Sequence, residues 1–484
     1  MSTDDAWSAP ANDALLLSLV TPSPAGIKTV AHTFHPKFTY PIFGDSEEIF
    51  GYKGLEISLQ YNATDMRPNL SVKYSKKFPA VADVEAADIN GTLREFLPDV
   101  AFQKKSDFEA AIKNVPADWT PPGELVTTFS THGSTFEVRK ANLGEPAVKQ
   151  LVKRIQILVL LFIEGGSAID VDDSDADRWT IFLLYQKQTS NGEIASSPYT
   201  FVGYSTVYRF FHLQLPSPPV SPSESDLEKQ TLAQDFDLSL LPCRSRLSQF
   251  LILPPFQQKG LGPKLYSIIF QEYIKHPQTV EITVEDPNEA FDDMRDIVDL
   301  QYLRTMPEFQ ALRINTDVTI PKIGPAPKDI IDKAAYDAVR AKAKMAPRQF
   351  ARVLEMDLMS RLPEPVRPGI VPDESAREAT AEQKHEYQLW RLMLKKRIYS
   401  MNKDALGELE IPERIAKLNQ TVMSVEYDYA RLLLKAEDHQ QRNQVDEQQQ
   451  KNGTAANGAA NGKRKAAVED GDQAVSKKAR VEDE

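Results

Sequence analysis

Residues 256–266 read FQQKGLGPKLY. Gly260 and Gly262 stand between a strand-like stretch, QFLILPP, and a helix-like one, KLYSIIFQEYI. Strand, glycines and helix together build a cradle for phosphate. Glycine lets the backbone approach closely and tolerates positive φ, and the first N–H groups of a helix have no acceptor of their own. Two nucleotide readings fail on residue type. A dinucleotide fingerprint needs a third glycine where Leu265 stands, and a Walker loop needs Gly-Lys followed by Ser or Thr. Pro263 has no N–H, so it is expected to start the helix and leave the cradle one donor short.

Other residues are weighed beside the cradle. Glu285, Asp286 and Pro287 end the strand-like VEITVED; taken alone they are an ordinary strand end at a Pro turn. Asp170, Asp172, Asp173, Asp175 and Asp177 run up to Trp179. That run is either a solvated loop or an electrostatic lure for a lysine- and arginine-rich peptide. Net charge is −12, a poor match to the phosphate backbone of nucleic acid and a better one to a basic partner. Cys243 is the only cysteine, which excludes an intramolecular disulfide and a cysteine-built zinc site. His32 and His35 have no nearby carboxylate or thiol to complete a ligand set, so no metal is expected.

The elements that must position these residues follow from pattern. Residues 1–26 are polar and Pro/Ser-containing and read as a flexible leader. Residues 27–145 mix alternating strands (GLEISLQYN, TFEVRKA) with helical stretches (DVEAADINGTLREFL, DFEAAIKNV), as in a small α+β domain. Residues 146–300 read as helix, then ILVLLFIE as a buried strand, then further strands RWTIFLLYQK, FVGYSTVYRFF and LSQFLILPP. The Pro/Ser-rich 213–246 reads as a mobile insertion between paired strands. Residues 301–436 carry apolar positions at helical spacing, which predicts a helical domain. Residues 437–484 hold too few apolar side chains to bury and are expected to be disordered. Within them Lys463–Lys465 and Lys477–Arg480 have the spacing of a bipartite nuclear import signal. The longest apolar run, Ile157–Ile163, is too short for a bilayer, and MSTDDAW carries acids where a signal peptide needs bases. No membrane association is expected.

The six residues Gln257, Gln258, Lys259, Gly260, Leu261 and Gly262 match the Q/R-x-x-G-x-G/A pattern of the GCN5-related acetyltransferases. Three further blocks in order widen the resemblance: Phe43–Leu55 (FGDSEEIFGYKGL), Phe162–Trp179 (FIEGGSAIDVDDSDADRW) and VEITVEDPNEAFDDMRD. Together they resemble the catalytic subunits of type B histone acetyltransferases, over roughly residues 28–300 with a looser helical continuation. The resemblance implies an α+β fold: a mixed central sheet of the GCN5-related type, an N-terminal α+β domain and a C-terminal helical bundle. It implies acetyl-coenzyme A as co-substrate, with its pyrophosphate on Gln257–Gly262, Pro263 and Asn288 beside it, and its pantetheine arm along Phe250, Leu251 and Ile252. Glu285 is then the general base, with Glu164 and Asp286 as further carboxylates. A lysine amine, with a pKa of about 10.4, is protonated at neutral pH and needs such a base before it can attack. Asp45, Ser46, Glu47, Trp179, Tyr208, Arg209 and Phe210 match the segments that contact the histone tail. The implied substrate is the histone-four tail, the implied partner a WD-repeat histone-binding subunit, and the location nucleus and cytoplasm. An acetyltransferase for another basic protein or a polyamine, and an inactive histone chaperone or scaffold, stay open at this point.

Overall fold

Alternate burial marks the strands Glu56–Asn62 and Cys243–Ile252, whereas Trp179–Lys187 and Tyr199–Phe211 are buried on both faces over most of their length. The computed structural model describes residues 7–24, 26–188, 197–211, 241–321, 326–370 and 378–460, the last without side chains from 439 onward. They divide into two compact units: residues up to 211 with Ser245–Leu265, and residues 241–244 with those from Tyr266 onward.

Among the described residues the first unit holds two larger sheets beside two short two-stranded pairings, Ser8–Pro10 with Glu48–Phe50 and Tyr52–Lys53 with Lys76–Lys77. β1 (Leu15–Ser23) pairs in parallel with β3 (Glu56–Asn62) and antiparallel with β2 (Gly26–Thr29), while β4 (Pro68–Lys73) closes the order β2-β1-β3-β4. Leu15, Leu17, Leu19 and Val20 are buried, and α1 (Lys105–Lys113) lays Phe108 and Ile112 against Val20. The flexible leader predicted for residues 1–26 is therefore corrected over Ser8–Ser23. Its LLLSLV run is a central strand whose partner lies some forty residues downstream, beyond the reach of local pattern.

The second sheet has the order β9-β8-β7-β6-β5. Its strands are β5 (Glu124–Thr131), β6 (Ser134–Asn142), β7 (Trp179–Lys187), β8 (Tyr199–Phe211) and β9 (Cys243–Ile252). β6 pairs antiparallel with β7, and β7 with β8. A domain boundary at residue 145 would cut this sheet between β6 and β7, so the predicted 27–145 and 146–300 domains do not stand apart there. ILVLLFIE is not a strand either. After α2 (Pro146–Ile155), Ile157–Phe162 forms a short helix, α3, and all six of its residues are buried. A short run that is apolar on every side does not declare its period.

At Gly203 on β8 the backbone of β9 comes very close. A Cβ there would lie 2.3 Å from the Leu251 carbonyl oxygen and 2.9 Å from the Ile252 Cα. β9 begins at Cys243, so the last residues of the predicted 213–246 insertion belong to a strand, while 213–240 lie outside the described residues.

The second unit contains most of α4 (Leu261–Lys275), then β10 (Thr279–Val284) and α5 (Glu289–Leu303). α6 (Lys333–Lys342), α7 (Pro347–Ser360), α8 (Ala381–Met401) and α9 (Ile411–Ala460) follow. Asn288 caps α5, Asp332 caps α6, and Thr380 with Gln383 forms a capping box on α8. The buried Glu355 of α7 accepts from Arg397 of α8 (2.9 Å) and Tyr429 of α9 (2.9 Å), tying three helices with a paired charge. α9 continues to Ala460, past the boundary at 437 where disorder was expected; its Gln, Glu, Lys and Ala are good helix formers whatever they bury. The basic clusters at 463–465 and 477–480 lie outside the described residues. Among the described residues no helix is long and apolar enough to cross a membrane.

Because β1 is core and not leader, Leu17→Ala should destabilise the protein by about 2–5 kcal/mol. Urea unfolding of the full chain tests this; a loss below about 0.5 kcal/mol, as on an exposed surface, would return the segment to a leader.

Candidate active site

The cradle is assembled at the exit from β9. Leu253 N–H donates to the Val202 carbonyl (2.9 Å), and a single turn over Pro254–Phe256 reverses the chain. The Gln257 side-chain amide donates to the Ile252 carbonyl (2.7 Å), and Lys259 Nζ to the Pro255 carbonyl (2.9 Å). Both long side chains thus brace the turn. Gln258 (φ 60°) and Gly260 (φ 70°) take the left-handed conformation, which brings the exposed backbone of 257–260 to the start of α4. Nothing lies within 4 Å of a Cβ built on Gly260, so the space over the helix start is open. Buried Leu261 and Leu265 anchor the helix beneath it, and buried Leu251 and Ile252 anchor the strand end after Phe250.

The helix begins at Leu261 and not at Pro263. Its first internal bond runs from Lys264 N–H to the Gly260 carbonyl (3.4 Å). Pro263 is therefore the third helical residue, one of the positions whose N–H has no acceptor within the helix. The donors left at this end are those of Gly260, Leu261 and Gly262, at the positive end of the helix dipole. This donor set and the open space fit a pyrophosphate.

A second cluster in the same unit is acidic and aromatic. Trp179 and Tyr208 face each other across β7 and β8, with ring centroids 4.8 Å apart. Tyr208 Oη donates to Asp175 Oδ2 (2.8 Å) and accepts from Arg178 Nη1 (3.3 Å); burial pushes its hydroxyl pKa up. Phe210 is 45% exposed, with the Arg246 guanidinium 5.4 Å from its ring. Strand alternation puts Tyr208 and Phe210 on one face and Arg209 on the other, so the predicted Tyr208–Arg209–Phe210 contact does not present as one surface. Of the acidic run, Asp170 and Asp173 accept backbone N–H groups of Asp172 and Asp175, and Asp172 pairs with Lys153 (3.0 Å). Asn142 holds the Asp177 carbonyl (2.7 Å). The loop is built, and part of its charge is already used.

The 39–47 segment closes against this loop. Glu47 Oε1 accepts from the backbone N–H of Thr39 (2.5 Å) and Tyr40 (3.0 Å), and Oε2 from Asn12 Nδ2 (3.0 Å). The Thr39 N–H bond is the main reason its pKa is lowered. Glu47 is thus a brace within its own loop, while Asp45 and Ser46 remain exposed. Tyr40 Oη accepts from Gly165 N–H (3.0 Å), next to the exposed Glu164, and Gln249 of β9 donates to the Ser167 carbonyl (2.8 Å). Tyr40 and Gln249 were missed in the sequence; a polar residue inside LSQFLIL was the one available signal for Gln249.

In the second unit, Glu285 and Asp286 are exposed directly after β10, with Asp286 at φ 35°. Asn288 does not offer a free amide oxygen to a ligand, since it accepts from Phe291 N–H (2.9 Å) as the cap of α5. Among the described residues no group of His, Cys, Asp and Glu could hold a metal ion.

Comparison with known proteins identifies the family. A family model described as histone acetyl transferase HAT1 N-terminus matches residues 7–164, and one described as fungal HAT1, C-terminal, matches 324–362. The type B histone acetyltransferase catalytic subunit of Neurospora crassa is 52% identical, covering 100% of this chain and 99% of its own. The chain belongs to this family. The Pyricularia oryzae member is 50% identical over 90% of this chain and 93% of its own, and that of Gibberella zeae 50% over 88% and 90%. Membership makes the chain an acetyltransferase, and acetyl-coenzyme A its co-substrate.

The helix that opens with the cradle is held further along by a buried network. Tyr266 Oη donates to Asp299 Oδ1 (2.9 Å), and Gln349 donates to both Asp299 and Asp296 (2.9 Å each). Arg295 lies 3.5 Å from Asp299, and Arg352 pairs with Asp296. Burial pushes the Asp299 carboxyl up to about 6. Its protonated form thus favours the folded state below the ordinary aspartate pKa of ~3.9, and that contribution is lost as pH rises through the folded value. Urea unfolding of parent and Asp299→Asn near pH 7 and near pH 5 should show their stability difference moving in the parent's favour at the lower pH. An identical difference at both would contradict the buried titration.

Proposed function

We propose that this chain transfers acetyl from acetyl-coenzyme A to lysines of free, newly synthesised histone, chiefly in the histone-four N-terminal tail. The reading rests on family membership together with one observation: open space at Gly260, at a helix start whose first N–H groups have no acceptor within the helix. The transfer is a direct attack within a ternary complex. Glu285 takes a proton from the substrate ammonium; the neutral amine attacks the thioester carbonyl; the carbon–sulfur bond breaks and the coenzyme thiol leaves. Asp286 and Glu164 add negative charge that favours a cationic side chain. Trp179, Tyr208 and Phe210 supply an aromatic face on which the stem of a lysine or arginine can lie, and the free carboxylates before Trp179 attract the rest of a basic tail. In this reading a WD-repeat histone-binding subunit accompanies the chain, which works in both nucleus and cytoplasm.

Two variants test the chemistry. Glu285→Gln should lower kcat on histone-four tail peptides by at least ~100-fold while acetyl-coenzyme A binding, measured calorimetrically, stays unchanged. Unaltered acetylation would remove Glu285 from the base role, and absence of both binding and acetylation in the parent would favour a scaffold. Pro263→Ala adds a fourth N–H at the helix start. It should tighten acetyl-coenzyme A binding by up to about tenfold, the worth of one hydrogen bond to a charged group. Weaker binding would place the pyrophosphate elsewhere.

A further inference from the structure

The two lysines that flank the glycines of the cradle have different employment. Lys259 is committed to the turn, since its Nζ donates to the Pro255 carbonyl (2.9 Å). Lys264 is exposed in the first turn of α4, at the positive end of the helix dipole, where a cation is unfavourable. Among the described residues no carboxylate within 4.0 Å of its Nζ offsets this. The positions one turn away on α4 are Gly260, Leu261, Ser267 and Ile268, and none is acidic.

What Lys264 does meet is a ring. Its Nζ stands 5.7 Å from the centre of Phe129 on β5, near the limit of a cation–π contact. Phe129 stacks on the buried Phe136 (5.5 Å), so the ring is held in place. Thr127 and Thr131 share its face of the strand and add no charge. Lys264 itself lies on the exposed face of α4 with Gln271 and Lys275, opposite the buried Ile269 and Tyr273. A cation thus stands beside the cradle, weakly held and without an anion.

We propose that Lys264 binds the ribose 3′-phosphate of the co-substrate and makes the enzyme select coenzyme A over its 3′-dephospho form. With the pyrophosphate on Gly260–Gly262, a reading on which this one rests, and the pantetheine arm along Phe250–Ile252, the adenosine end points to solvent over the exposed face of α4. The backbone donors of the cradle meet phosphate oxygens but carry no net charge, and Lys264 supplies it. Turning from ring to phosphate exchanges a weak attraction for a charge-assisted hydrogen bond. The same anion relieves the cation at the helix start.

The test is calorimetric titration of the full-length protein with coenzyme A and with 3′-dephospho-coenzyme A. The parent should bind coenzyme A about five- to tenfold more tightly, and the gap should narrow as salt is raised. Lys264→Gln should weaken coenzyme A to the level of the dephospho form and leave that form unchanged, while Lys264→Arg should keep the preference. In turnover, Lys264→Gln should raise KM for acetyl-coenzyme A at unaltered kcat. Equal affinity for the two coenzymes in the parent, or in Lys264→Gln either an equal loss on both or a preference that persists, would overturn the proposal and leave the cradle standing. A parent that binds neither would overturn both.

Discussion

The approach of β9 to Gly203 is the constraint on which the site depends. No side chain larger than hydrogen fits between that position and the Leu251 carbonyl. The same strand is bulged there. Leu184 pairs with Gly203 but Tyr185 with Phe201, which leaves Val202 as the extra residue, and Val202 offers its carbonyl to Leu253 N–H. The bulge, in the pairing with β7, and the glycine thus let β9 lie close on β8 up to Leu253, where the chain turns into the cradle. β8 also reaches the other sheet, with Phe201 N–H on the Ala63 carbonyl (2.7 Å) and the Tyr199 carbonyl on Thr64 Oγ1 (3.1 Å). One strand therefore sets the cradle at one end and, through Tyr208, the aromatic face at the other.

The charges of the first unit are divided between structure and function by hydrogen bonding. A carboxylate that accepts two backbone N–H groups is held in place, as Glu47 is. Its work is to fold the 39–47 loop, through Tyr40, against the segment that carries Glu164. Asp170 and Asp173 make turns, and Asp172 is paired. Asp175 is shared between Tyr208 and Arg178, so its charge orients the aromatic face. An acidic run in a sequence counts charges but does not say which are still available to a ligand. Fewer of these carboxylates are available than the run of aspartates suggests.

What was legible in the sequence was local. Glycine, strand before and helix after are short-range demands, and FQQKGLGPKLY met them where expected. Long-range pairing was not legible. LLLSLV becomes a core strand only because Glu56–Asn62 comes alongside, and the strands on either side of residue 145 share a sheet although a helix-rich segment separates them. ILVLLFI failed for a different reason: buried on all sides, it carries no period to read. Among the site residues, Asn288 and Glu47 have the polar types a ligand wants, but the backbone N–H groups of a helix start and a loop reach them first. Arg209 was lost to the period of the strand itself.

Pro263 shows how a departure from pattern can cost little. A helix leaves its first N–H groups without internal partners, so a proline at its third residue removes no helical bond and brings a φ already suited to the helix. The loss falls entirely on the ligand side, where three donors remain. Gly260 and Gly262 compensate by geometry, since neither carries a side chain that would hold an anion away from the backbone. The dipole contribution is untouched, because it sums over the whole of Leu261–Lys275. Leu261 and Leu265 of that helix are buried, and Tyr266 donates to the buried Asp299. A turn built from backbone on a helix so anchored can lack one N–H donor at its third residue and keep its position.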